Sequence, residues 1–193
     1  MCKNFSSFGK FKSSPKEICK LFDLTFEIER LEFSGDLPQE YLPEIKALEE
    51  KLERQIKRFE INNEIGKRDF LIAPVFSQLF DWVDFELATE KYFDLEDGLR
   101  GNIDYVIKGG NEILVVEAKN DDFDGGAIQI IAELVAVGRF EQRSQLFGVV
   151  TNGRFWQFYE YNVDQKVIIQ DIDFYSFPKE SEAVFSNLLE ILR

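Results

Sequence analysis

Histidine is absent from the 193 residues. That removes Ser/His/Asp and Cys/His nucleophile systems, histidine general bases and His-containing zinc sites together. Cysteine is nearly absent: Cys2 and Cys19, both in the first twenty residues, supply neither a disulfide framework nor a zinc ribbon and read as two free thiols. No apolar run approaches the roughly 18 to 20 residues of a membrane span. The start has lysines but no apolar h-region or small-residue cleavage site, so a cytoplasmic protein with no membrane contact is expected. Basic charge is also scarce. The 23 Lys and Arg stand against 36 Asp and Glu, a formal charge of −13, the opposite of a generic duplex binder. Hydrolysis by this chain would have to run on carboxylates, lysine and a hard metal ion.

The 45% hydrophobic fraction, with 20 Phe and 5 Pro, is that of an ordered globular protein, and the length fits one domain. Residues 1–20 hold five lysines and one glutamate and are broken by Gly9 and Pro15. They read as a basic arm without firm structure, whose Phe5, Phe8 and Phe11 either stack on nucleic acid or pack on the domain. Residues 21–193 read as a single domain with its core at about 60–175. From Pro43, Ile45, Leu48, Leu52, Ile56 and Phe59 recur at helical spacing, an amphipathic helix over 43–62 whose stripe could also zip to a second copy. A second helical stretch from Glu64 to Phe80 carries Pro74, which predicts a kink.

Alternation then predicts a strand over 83–93, and two more follow at 102–108 and 113–119 around the hairpin signal Gly109-Gly110-Asn111. A helix apolar nearly all round, 126–140, has to be buried against a sheet. Strands at 146–151, 155–161 and 167–172 and a helix at 180–192 complete an α/β order with a mixed central sheet. Trp156 and Phe158 read as core residues. Asp121, Asp122 and Asp124 read as caps of the buried helix rather than metal ligands.

The hairpin carries the chemistry. Glu117 and Lys119 are two apart on one strand and share a face. A four-residue loop, 109–112, sets Asp104 directly opposite Glu117; a two-residue turn at Gly109-Gly110 sets it diagonal on the same face; a three-residue loop sends it to the other side. Two carboxylates and an ammonium on one face need something to gather the charge, and oxygen ligands favour Mg²⁺ or Mn²⁺.

The order of a helix with Glu64, a strand with Asp104, the strand end Leu114-Val-Val-Glu-Ala-Lys119 and a helix with Gln129 resembles the PD-(D/E)XK, or restriction-endonuclease-like, nuclease superfamily. Gly148-Val-Val-Thr-Asn-Gly-Arg-Phe-Trp-Gln-Phe158 is similar to a strand and turn in the nuclease-like domain that begins type I restriction motor subunits. The resemblance spans about 60–175. It implies a restriction-endonuclease-like sheet flanked by helices and Mg²⁺-dependent hydrolysis of DNA, with Asp104 and Glu117 on the metal, Lys119 at the reacting water and Gln129 in the site. Glu64 is then the carboxylate lent to a second ion; read from the residues alone, it is equally a helix N-terminal acid favoured by the dipole. Glu90 is an alternative third carboxylate. Where some relatives have Gln-x-x-x-Tyr, this chain has Glu133 in the Tyr position. The rival reading is a silent nuclease-like module for a basic protein or nucleic-acid partner, as the charge of −13 suggests. On the nuclease reading, Lys67, Arg68, Arg100, Arg139 and Arg154 should ring the mouth of the site.

Overall fold

The computed structural model describes residues 3–10, 12–33, 35–110 and 112–193. Cys2, Phe11 and Asn111, named above, lie outside the described residues. The chain runs β1 (Lys3–Asn4), α1 (Phe5–Phe8), α2 (Pro15–Leu21), β2 (Thr25–Glu29), α3 (Leu42–Arg58), α4 (Glu64–Lys67), a π-helical turn (Arg68–Ile72), α5 (Ala73–Phe80), β3 (Phe85–Asp94), β4 (Leu99–Gly109), β5 (Glu112–Ala118), α6 (Phe123–Glu141), β6 (Gln145–Thr151), β7 (Phe155–Asn162), β8 (Val167–Asp171), β9 (Tyr175–Ser176) and α7 (Ser181–Leu192). The strands form one nine-stranded mixed sheet, in the order β1-β4-β5-β6-β7-β8-β2, with β3 on β4 and β9 on β7. Pairings β1/β4, β5/β6 and β2/β8 are parallel and the rest antiparallel.

Helices cover both faces. Strand β5 shows why: Ile113 and Val115 point into a core made with α1, α2 and α6, while Leu114, Val116 and Ala118 point into a second core with α3, α5 and α7. A strand apolar on both sides is stable only between two layers. Helix α6 is buried from Gly125 to Gly138, as its all-round apolar sequence predicts, and Asp122 caps it by accepting from the Gly125 N–H.

One expectation meets a different structure, and two further features add to it. The described residues of the basic segment 1–20 are built into the fold, with the aromatics packed on the domain: Phe5, Phe8, Ile18 and Cys19 are all buried, α2 has a full Ser14/Glu17 capping box, and the Phe5 ring lies where a Cβ on Gly101 would be. Four buried apolar side chains in a short segment outweigh the self-repulsion of the exposed Lys10, Lys12, Lys16 and Lys20. The stripe of α3 is occupied as well, since Ile45, Leu48 and Leu52 are buried in the second core. A homodimer through 43–62 would therefore need another face of that helix. Lastly, β2 and β9 were not legible, because both are short, the first mostly exposed and the second half-buried, and their pairing comes from β8 and β7.

Candidate active site at the fork of β4 and β5

The site begins with a strand that changes neighbours. The β4/β5 ladder runs from Gly109/Glu112 to Tyr105/Val116 and stops there. The Gly110 turn residue, with φ 52°, makes the hairpin tighter than a four-residue loop, yet the register is the one that sets Asp104 opposite Glu117. At the other end of β4, Arg100 pairs with Asp94 of β3 on one edge and with Asn4 of β1 on the other. So β1 takes over the edge that β5 has left. Asp104 lies in the gap between them. Its Oδ2 accepts the Ala118 N–H at 2.7 Å, replacing the missing ladder partner. The strand is irregular at this point: Ile103 and Tyr105, two apart, belong to cores on opposite sides of the sheet. Across from Asp104, Glu90 of β3 has a φ of 51°, so both strands break their pleat at one level.

Glu117 points from β5 toward α6 and is only 3% exposed. Its Oε1 lies 2.5 Å from Lys119 Nζ, which also donates to Gln129 Oε1 at 3.0 Å. Gln129 Nε2 in turn donates to Glu133 Oε1 at 2.9 Å. The result is a buried chain of side chains, Glu117, Lys119, Gln129 and Glu133, carried by the strand end and the first three turns of α6. Gly126 allows α6 to come this close, since a Cβ there would meet Val150 Cγ1 at 2.6 Å and Lys119 Cγ at 3.1 Å.

Burial, then the charge of Asp104, pushes the Glu117 carboxyl up to about 7, against the pull of Lys119. Glu133 is fully buried; burial first and Glu117 second raise it well above the carboxylate range. Its Oε2 faces no donor. A proton retained on Glu133 and donated to Glu117 resolves both facts, because two adjoining buried carboxyls do not ionise together. Burial opposes the charge of Lys119, but the neighbouring Glu117 outweighs it and lifts the ammonium above its ordinary value. Asp104 is raised by burial, with the Ala118 N–H and Arg68 pulling the other way.

Arg68, at the start of the π-helical turn, closes the outer side. Its Nη1 donates to Asp104 Oδ1 at 3.0 Å and also pairs with Glu90. Thus both oxygens of Asp104 are engaged within the protein. Glu64, in the first turn of α4, bonds directly to none of these groups, but its charge is felt by Asp104 and Lys119.

Of the residues singled out in the sequence, Asp104, Glu117, Lys119 and Gln129 come together, with Glu64 beside them. Asp121 is not a cap: it binds Lys67 at 3.0 Å and Asn152 at 2.9 Å. Of the five expected rim cations, Arg68 is in the site and Lys67 is buried next to it. Arg139 pairs with Asp97, ten residues beyond Gln129 on α6, or about 15 Å along the helix. One member, Glu133, escaped a functional reading, and Arg68 enters as a direct partner of Asp104 rather than as a rim cation. Glu133 had a signal: it is four residues from Gln129, an acid on a helix that is otherwise apolar. Arg68 reaches the site through the π turn, whose extra residue changes which side chains face the sheet.

A mixed sheet packed on both faces by helices, with a carboxylate and lysine cluster at a strand fork, defines the class of this protein as far as fold and geometry go. No family model matches the chain. Over 102 residues, covering 51% of this chain, it is 31% identical to Crinkler effector protein 5 of Phytophthora infestans. The match takes in 29% of that relative, so the chain spans less than a third of its length.

Proposed function

We propose that the chain is a divalent-cation-dependent phosphodiesterase acting on DNA, of the PD-(D/E)XK kind, with Asp104 and Glu117 as the cation's carboxylates. The observation that carries this reading is the Glu117 carboxyl: 3% exposed, beside a second acid, and held in place by Lys119. A buried carboxylate pair of this kind is costly without a cation, and its all-oxygen donor set suits Mg²⁺ or Mn²⁺. A bound ion would polarise a phosphoryl oxygen and acidify a water. The chain's own residues supply the rest. Lys119 holds its charge and, anchored by Glu117 and Gln129, orients a water or offsets negative charge on the phosphate. Gln129 fixes Lys119 from the helix side. Arg68 balances Asp104 and Glu90 in the free protein and lies where it can turn its guanidinium to a phosphate.

A second reading, a silent module of the same fold, is favoured by one observation. Among the described residues no three acids converge as a cation cage, and Asp104 is fully engaged by Arg68 and Ala118. Cleavage of single-stranded and duplex DNA with Mg²⁺ or Mn²⁺ separates the two. Wild type is expected to cut, Asp104→Asn to lose the metal-dependent activity, and Lys119→Ala to lose about 10² or more. Wild type that cuts neither substrate leaves the silent module.

A further inference from the structure

Beside the site, at the carboxyl ends of the parallel strands β5 and β6, lies a cavity of about 430 Å³. Buried Lys67 and Asn152 line its inner side, exposed Asp121 its edge, and Phe59 and Phe155 stand at its walls, 46% and 43% exposed. The carboxyl ends of parallel strands are where α/β sheets take ligands, and the volume is within the range of small-ligand sites.

The cavity is organised. Asn152, nearly fully buried, accepts both the Arg154 and the Phe155 N–H on its Oδ1 and donates to Asp121. Lys67 ties Asp121 to the Asn120 carbonyl, one residue from Lys119. Gly153, at φ 81°, fits against Leu71, where a Cβ would come within 2.4 Å of the Leu71 Cβ. The turn 151–155 is thereby locked so that a cation and an aromatic ring, Arg154 and Phe155, are presented together. On the other wall, Phe59 is propped edge-on by Phe70, with ring centroids 5.3 Å apart.

A second cavity of about 460 Å³ shares Ile56 and Arg154 with the first and adds Lys57 and Lys179. Its acids are engaged: Glu53 pairs with Lys57, and Glu49 accepts from Ser181. Arg154 and Lys179 form no ion pair among the described residues. Arg154 and Lys179 are felt by Asp121 and Glu180 but bond directly to neither, so both guanidinium and ammonium remain able to turn to a phosphate.

We infer that the Phe59/Phe155 cavity takes an unstacked base of a single-stranded nucleic acid, whose phosphates run along Lys179 and Arg154 into that cavity beside the Lys119 strand end. The inference rests on the nucleic-acid reading of the neighbouring site and gives it a strandedness. Rings with open faces beside free cations bind exposed bases, whereas a duplex hides its base faces in the stack.

The test uses the full chain in EDTA, so that nothing is cleaved. Anisotropy of a fluorescein-labelled oligothymidylate and of a duplex of equal length is measured on wild type, Phe155→Ala, Phe155→Trp, Phe59→Ala and Arg154→Gln. The single strand is expected to bind more tightly than the duplex. The two alanine variants and Arg154→Gln should each weaken it by about tenfold, while Phe155→Trp retains it. Arg154→Gln and Phe155→Trp should keep the wild-type Tm; the two alanine variants, which lose rings about half buried, should melt a few degrees lower yet stay folded at the assay temperature. Equal binding of single strand and duplex, or single-strand binding unchanged in Phe155→Ala and Arg154→Gln, overturns the inference, as does wild type that binds neither. Loss of the phosphodiesterase reading would appear separately, as binding in EDTA without cleavage in Mg²⁺.

Discussion

Glu117 is the residue on which the electrostatics of the site turn. Its folded-state pKa, raised from the ordinary 4.5 to about 7, means that the folded protein binds a proton more tightly than the unfolded chain does. The sign follows. Below the unfolded value both states are protonated and Glu117 costs nothing; as pH rises through the window from 4.5 to 7 the folded state must give up a proton it favours, and stability falls. The loss is on the order of 3 kcal/mol at most for a shift of that size. Urea unfolding of metal-free protein should therefore show lower stability at pH 8 than at pH 5. Glu117→Gln should remove much of that difference while keeping the shape of the site, and an unchanged pH profile in the variant would place the effect elsewhere. At this scale the sequence was informative about identity. Glu117 and Lys119 were legible by alternation along β5, Asp104 by a hairpin count that put it on their face for two of three loop lengths, and Gln129 through the family resemblance. Glu133 was not, because its raised carboxyl depends on burial, and Arg68, expected at the rim, reaches Asp104 only through a π turn.

The closeness of α6 to β5 and β6 holds the cluster, and Gly126 is the contact that permits it. Gly126→Ala should force Val150 and the Lys119 stem to shift, costing about 1 to 3 kcal/mol as an overpacked core position does, less a few tenths regained from helix propensity. Differential scanning calorimetry reads the cost. A variant as stable as wild type would show that α6 slides freely over the sheet and positions Lys119 less tightly than the distances imply. Elements of strong periodicity were legible at this scale: α3, α6, α7 and the β4/β5 hairpin follow their hydrophobic patterns closely. The Pro74 break appears as the π turn Arg68–Ile72 just ahead of it, with Pro74 in the first turn of α5. Strands β1, β2 and β9 depend on neighbours far away in sequence, so local pattern had nothing to offer there.

At the scale of the whole molecule, the charge of −13 and the candidate chemistry pull in opposite directions, and the arrangement of the charges reconciles them. The basic N-terminal segment is packed against α6 and β4 through its aromatics rather than trailing as an arm, so its lysines coat the domain. Acids and cations at the fork neutralise one another in the free protein: Arg68 with Asp104 and Glu90, Lys119 with Glu117. Under the proposed function such a site exchanges a protein cation for a metal ion. Titration of metal-free wild type with Mn²⁺ in a calorimeter tests it most directly. Saturable binding at one or two sites is expected, lost in Asp104→Asn because a neutral amide brings no charge to the ion, and retained in Lys119→Ala because the lysine acts on the reaction rather than the metal. Wild type that takes up no Mn²⁺, or Asp104→Asn that takes it up unchanged, would contradict the account.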